Sequence, residues 1–376
     1  MPVQPRVHAL PEPRGSLRRG PAAAGASDMN PPPAPRRILV IRLDRIGDVV
    51  LSTPVLQVLR QRFPHAFIAM MVRPACEDLV RGNPYLNDVL LYDKEGRHRR
   101  IWPTIRFARS LRRYEFDTAL VLHPTNRSHW IPRLAGIPVR IGYRRKSAWL
   151  LTHRLPHRKQ EGKRHEAEYT LDMLSVLGIS DGQALPFIPV APAAAQRIHA
   201  RLAEASIQPG DTVVGVHPSA SCISKRWMPQ RFAEVADRLA SERNVRIVLI
   251  AGDADRAYAQ DVARMMRSPA LNMAGQLSLG ELAALLARCR LLISNDSGPV
   301  HIAAAVGTPV VDIFGRNQAG LSPQRWGPLG EGHVVLHKEV GCVTCLAHRC
   351  DIEFLCLTSL STEEVYQAAV AVLGHA

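Results

Sequence analysis

The sequence has no apolar run approaching the ~20 residues that cross a bilayer. Its first 35 residues carry arginines but lack the apolar core of a signal peptide. No GxGxxG follows its first apolar run, so a dinucleotide site is not indicated. No short-period repeat is present, which excludes a solenoid or a propeller. No nucleic-acid-binding motif stands among its basic residues. These absences predict a soluble cytoplasmic chain with a leader over residues 1–35 that is rich in Pro, Ala, Gly and Arg and disordered.

What is present is length, charge asymmetry and alternation. At 376 residues the chain is too long for most single cores, so two domains are expected. The net charge of +15 is uneven: residues 1–165 hold 31 Lys and Arg against 12 Asp and Glu, and the remainder holds 17 against 21. A basic half implies an anionic partner: a nucleic acid, an acidic membrane face or a negatively charged acceptor. Of seven cysteines, Cys342, Cys345, Cys350 and Cys356 crowd together near the end. A CxxC followed by two further cysteines leaves zinc, a redox pair and plain packing open, because the later spacings do not repeat CxxC.

Short apolar runs alternate with helical spacing twice over. Residues 36–43 read as a strand, 44–48 as a Gly-containing polar loop, and 49–63 as a helix, as in a mononucleotide-binding half. Residues 144–164 read as a basic surface loop, and 185–192, with three prolines, as a linker. A second series follows, with a strand at 212–217, a helix at 229–243 and a strand at 245–251. Such alternation predicts an α/β chain of two Rossmann-like domains with parallel sheets, over residues 36–185 and 186–360, closed by a helix over 361–376.

In a fold of this kind, ligands sit beyond the carboxyl ends of strands, in the cleft between halves. Four loops meet that condition: residues 44–48, 217–227, 252–255 and 295–301. The last belongs to LLISNDSGPVHIAAAVGTPVVDIF, which reads as strand, turn, helix, turn, strand. It delivers a helix N-terminus with Ser297, Gly298 and His301 around it, a setting that favours phosphate. Asp48 is the candidate general base for an incoming hydroxyl. Lys225, with Ser219 nearby, is the candidate for neutralising a departing diphosphate. Asp253 and Asp255 form a DxD, read as a ribose contact or a helix start in preference to a metal site. Trp227 is expected to pack at the domain surface.

The segments ILVIRLDRIGDVVLSTPVLQVLR, VVGVHPSASCISKRWMPQRFAEVADRL and LLISNDSGPVHIAAAVGTPVVDIFG, with the late CVTCLAHRCDIEFLCLTSLSTEEV, resemble glycosyltransferase family 9, the bacterial ADP-heptose:lipopolysaccharide heptosyltransferases. The resemblance runs from about residue 36 to the end. It implies a GT-B fold, with the two domains facing a central cleft, and an inverting transfer that uses no metal or other cofactor. The donor would be an ADP-sugar and the acceptor an anionic glycolipid of the lipopolysaccharide inner core. Asp48 matches the proposed base and Lys225 the phosphate lysine. Asp296, Ser297, Gly298 and His301 match the phosphate and sugar contacts, and Asp253 or Asp255 the acidic residue near the ribose. Arg42, Arg45, Arg73, Arg127 and Arg144, chosen by their places near strand ends, are the expected acceptor contacts. Peripheral contact with the cytoplasmic face of the inner membrane is compatible with this picture, and a nucleic-acid partner is not expected. A sugar-nucleotide epimerase and a non-catalytic nucleic-acid-binding protein are the rival classes. The combination of base, phosphate lysine and His301 argues against both.

Overall fold

The structure is a computed structural model that describes residues 32–375. The leader expected over residues 1–35 lies, except for its last four residues, outside the described residues. The chain divides into two units. One contains the described residues up to Gln160 together with Arg164–Pro189; the other contains the described residues from Val190 onward together with Glu161–Lys163.

In the first unit β1 (Arg37–Ile41), β2 (Phe67–Val72), β3 (Asp88–Leu91), β4 (Thr118–Val121), β5 (Val139–Tyr143) and β6 (His153–Leu155) form one sheet, ordered β3-β2-β1-β4-β5-β6. Every pairing is parallel. The central strands are buried on both faces, as their unbroken apolar text requires. The helix expected over residues 49–63 is two helices, α1 (Ile46–Val50) and α2 (Thr53–Arg62). Pro54 has no N–H to continue the ladder; the Thr53 hydroxyl instead donates to the Val50 carbonyl at 2.7 Å, and the helix restarts. Then come α3 (Ile101–Ser110), α4 (Asn126–Leu134) and α5 (Glu166–Asp172).

The second unit repeats the plan. β7 (Val213–His217), β8 (Arg246–Leu249), β9 (Ala270–Asn272), β10 (Leu291–Asn295), β11 (Val310–Phe314) and β12 (Val334–His337) are ordered β12-β11-β10-β7-β8-β9. Counted from its own first strand, this is the order of the first sheet. The helices are α6 (Pro192–Glu204), α7 (Pro229–Arg243), α8 (Arg256–Met265), α9 (Leu279–Arg288) and α10 (Gly298–Ala305), and the chain closes with Thr362–His375. Ser278 and Glu281 make the reciprocal hydrogen bonds that open α9.

This strand order has a functional consequence. The chain leaves the centre of each sheet in opposite directions, first from β1 and then from β4, or from β7 and then from β10. The loops after those strands part and leave a crevice at the carboxyl end. Residues 42–48 and 122–128 flank it in the first unit, and 217–227 and 295–301 in the second.

Candidate functional site

Each switch point carries a charged cluster. In the first unit, Arg42 at the end of β1 is 2% exposed. Its guanidinium reaches Asp44 at 2.8 Å, Asp48 at 2.5 Å and Glu166 at 3.3 Å. Lys159 closes on the same Glu166 oxygen at 2.6 Å, and His123 Nδ1 lies 3.3 Å from Asp44. Burial holds the His123 pKa down at about 4, helped by Arg42, so at neutral pH the imidazole adds no charge. Three carboxylates therefore face two cations. Asp48 has its pKa raised, by burial first, and by Asp44 and Glu166; Arg42 opposes the shift. A carboxylate placed in the first turn of a helix, poorly solvated and in negative company, is a stronger base than an exposed one.

In the second unit, His217 ends β7 and is held by hydroxyls on both ring nitrogens. Ser294 and Ser297 lie 3.1 Å from Nδ1 and Ser219 lies 3.0 Å from Nε2. Burial lowers its pKa to about 4, so the ring is neutral at pH 7. Beside it, Lys225 Nζ meets the Asp296 carboxylate at 2.5 Å and donates to the Asp296 carbonyl at 3.2 Å. The Lys225 loop is pinned from several sides. Trp227, two residues on, is fully buried: its indole donates to the Leu360 carbonyl at 3.0 Å and its backbone N–H to the Asn295 side chain at 3.0 Å. Trp227 is thus a core residue and not the surface residue expected from its place in a loop. A Cβ on Gly315 would stand 2.5 Å from the Ser224 carbonyl, so only glycine admits this close approach. Arg316 adds a hydrogen bond to the Ser224 hydroxyl at 3.2 Å.

Ser297 and Gly298 stand at the head of α10, with His301 buried one turn in. Lys225, Asp296, Ser297, Gly298 and His301 are therefore brought together, with Ser219 turned inward onto His217. Asp253 and Asp255 take different partners. Asp253 pairs with Arg256 at 2.7 Å and its side chain is 84% exposed; Asp255 pairs with Arg226 at 2.7 Å. Among the described residues no group of His, Cys, Asp and Glu is arranged to hold a metal ion.

The five arginines divide. Arg45 and Arg144 are exposed at strand ends. Arg73 is half-buried and pairs with Glu95 at 2.9 Å. Arg127 donates to the carbonyls of Lys94 at 3.0 Å and Arg99 at 2.5 Å. Arg42 and Arg127 thus hold the chain's own loops together: one is spent on carboxylates, the other on carbonyls.

Four buried titratable residues of these clusters are not among the candidates that the sequence marks. The sequence places Lys159 in a basic surface loop, but the structure buries it and runs the edge strand β6 through that segment. Glu166, at the start of α5, is buried against Lys159; His165 caps the helix, with Glu168 completing the box. His217 opens the 217–227 loop at the end of β7, and no motif in the sequence singles it out. Asp312 had the clearest signal, an acid inside the apolar run VVDIF. It is fully buried on β11 with both carboxyl oxygens lacking a hydrogen-bond partner.

Burial, and then the Asp296 charge, push the Asp312 pKa well above the carboxylate range, against the pull of Lys225. The folded chain thus keeps a proton that the unfolded chain gives up. Stability is full below the ordinary carboxylate range and falls by about 1.4 kcal/mol per pH unit as pH climbs toward the folded value. Asp312→Asn removes that slope. The drop in Tm between pH 5 and pH 8, measured by calorimetry, is expected to be smaller in the variant; an unchanged drop would mean the carboxyl is ionised in the fold.

Residues 104–355 match the family model described as glycosyltransferase family 9 (heptosyltransferase). The chain is 30% identical over 284 residues to lipopolysaccharide heptosyltransferase 3 of Escherichia coli (strain K12), spanning 72% of this chain and 79% of that one. It is 26% identical over 296 residues to lipopolysaccharide heptosyltransferase 2 of the same strain, spanning 76% and 85%. Among solved structures, the family 9 glycosyltransferase of Veillonella parvula DSM 2008 superposes with a TM-score of 0.80 at 27% identity, covering 91% of this chain and 98% of that one.

Proposed function

Since the chain belongs to glycosyltransferase family 9, we propose that it moves a heptose from an ADP-sugar to an inner-core lipopolysaccharide or similar anionic glycan acceptor. Family membership and the heptosyltransferase relatives support the sugar and the acceptor class. The observation that carries the chemistry is Asp48, a poorly solvated carboxylate with a raised pKa at the switch point of the first sheet.

In this reading the Asp48 carboxylate takes the proton of an acceptor hydroxyl. The freed oxygen bonds to the anomeric carbon as the bond from that carbon to the diphosphate breaks, with inversion. The electron pair leaves with ADP, and Lys225 and the donors at the head of α10 stabilise the growing charge. Arg42 positions Asp48. The neutral His217 orients the Ser297 hydroxyl without adding charge of its own. Asp255, paired with Arg226, is the better placed of the DxD pair to accept from a ribose hydroxyl, since Asp253 is directed outward. The exposed Arg45 and Arg144 are the free cations for the acceptor. No helix among the described residues is long and apolar enough to cross a membrane, and we place the reaction at the cytoplasmic face of the inner membrane.

The test is a thermal-shift panel of ADP-, UDP- and GDP-sugars. Ligand binding to the folded state alone raises Tm, by an amount that corresponds to ~2.7 kcal/mol at a hundred times Kd. ADP-heptose is expected to give the largest rise, and release of ADP to require the acceptor. Stabilisation by UDP- or GDP-sugars alone would overturn the donor assignment, and conversion of the donor without acceptor would point to an epimerase.

A further inference from the structure

The first unit carries a surface that the transfer chemistry does not use. From Gly96 to Tyr114 the sequence holds seven arginines and no acid. All seven are exposed, and none forms an ion pair with a carboxylate among the described residues. The first two residues of α3, Ile101 and Trp102, are 76% and 78% exposed. Thr104 and Ala108, on the opposite face of that helix, are buried against the sheet. A groove of about 810 Å³ runs along the outer flank, lined by Arg97, Trp102, Arg106, Phe107 and Arg113 among others. Trp102 and Arg106 lie one turn apart on α3, and Arg113, in the short turn that follows the helix, lines the same groove, so an aromatic residue and two cations form one stripe. Because α3 follows β3 in a parallel sheet, this stripe begins at the carboxyl end of the strands, the end that carries Asp48. A second exposed aromatic pair lies in the same layer: Trp130 on α4, which packs against α3, meets Trp149 edge to face at 5.6 Å.

We propose that the outer flank of α3 docks the enzyme on an anionic phospholipid bilayer, with Ile101 and Trp102 entering the headgroup layer and the arginines meeting lipid phosphates. The charge settles the kind of partner. Exposed apolar side chains alone would suit any apolar surface, but here they are set in unpaired arginines, which need a dense field of negative charge. Tryptophan favours the interface of a bilayer, and each cation near an anionic surface is worth about fivefold in partitioning. The inference rests on the reading of an acceptor carried by a lipid. A docked enzyme would hold its acceptor crevice at the height of the glycan, so that the acceptor need not leave the membrane.

The test uses the full chain and co-sedimentation with vesicles of phosphatidylglycerol and phosphatidylethanolamine, or of phosphatidylcholine alone. The parent is expected to bind the anionic vesicles and not the neutral ones. Two double variants, Ile101→Ser with Trp102→Ser and Arg106→Glu with Arg113→Glu, are each expected to weaken that binding at least tenfold. Turnover of a deacylated, water-soluble acceptor should stay within twofold of the parent in both. Vesicle binding unchanged in both variants would overturn the proposal, as would equal binding of neutral vesicles. Loss of binding to an RNA oligonucleotide in the same variants, with no vesicle binding by the parent, would assign the surface to nucleic acid instead. Failure of the soluble assay in the parent would fall on the transfer reading and leave the vesicle result standing.

Discussion

Asp48→Asn is expected to lower kcat by about 10²- to 10⁴-fold, the usual worth of a positioned general base, while leaving the donor-induced rise in Tm intact. The amide keeps the shape of the carboxylate and its contact with Arg42 but cannot take a proton. The parent's pH profile should carry the same signature. Activity needs the ionised carboxylate, so kcat rises with pH through the Asp48 pKa. Burial and its acidic neighbours raise that pKa, so the acid limb lies above the ordinary carboxylate range. Glu166→Gln removes one of the charges that disfavour ionisation, and the limb is expected to move to lower pH. Equal turnover by Asp48→Asn and parent would remove Asp48 from the mechanism. A variant that no longer responds to donor would show that the substitution had disturbed the fold.

The two-unit plan was legible because it depends on local signals that tertiary packing did not override. Unbroken apolar strands, a Pro at the start of α7 and the capping box at Ser278 each place an element through its own backbone chemistry. The short strands β6, β9 and β12 were not legible. Each is three or four residues long and only partly buried, so they owe their place to a neighbouring strand more than to their own sequence.

The same distinction holds for the site. Asp48, Lys225 and the head of α10 sit in loops whose composition marks them. Lys159 and Glu166 are seven residues apart in the chain but far in sequence from Arg42, and only the folded unit brings them to it. Spacing could not show that a lysine in a basic stretch turns inward, because the reason is a buried carboxylate elsewhere. Trp227 departs from its expected surface position for a related cause: its loop runs over the core formed with the C-terminal segment, and the Leu360 carbonyl that accepts its indole hydrogen bond lies 133 positions away.

Lys225→Met should cost about 10²- to 10³-fold in kcat, the range found when one preorganised donor to a developing negative charge is removed. Two explanations of such a loss make different claims. In one, Lys225 acts on the diphosphate; in the other it serves only to neutralise Asp296, whose buried carboxylate it meets at 2.5 Å with a side chain that is itself 17% exposed. On the second view the damage comes from an uncompensated charge, and breaking a buried pair costs about 3–5 kcal/mol of stability. Lys225→Met with Asp296→Asn separates them. The double variant leaves no unpaired charge, so stability is expected to recover most of what Lys225→Met loses, as read from denaturant midpoints. Turnover is expected to stay low, because no cation then faces the departing oxygen. Recovery of turnover along with stability would reduce Lys225 to a counter-ion and leave the leaving group to the α10 donors. Lys225→Arg is expected to fall short of the parent as well, since the ammonium fits between the carboxylate and the carbonyl of one residue, where a planar guanidinium presents a different set of donors.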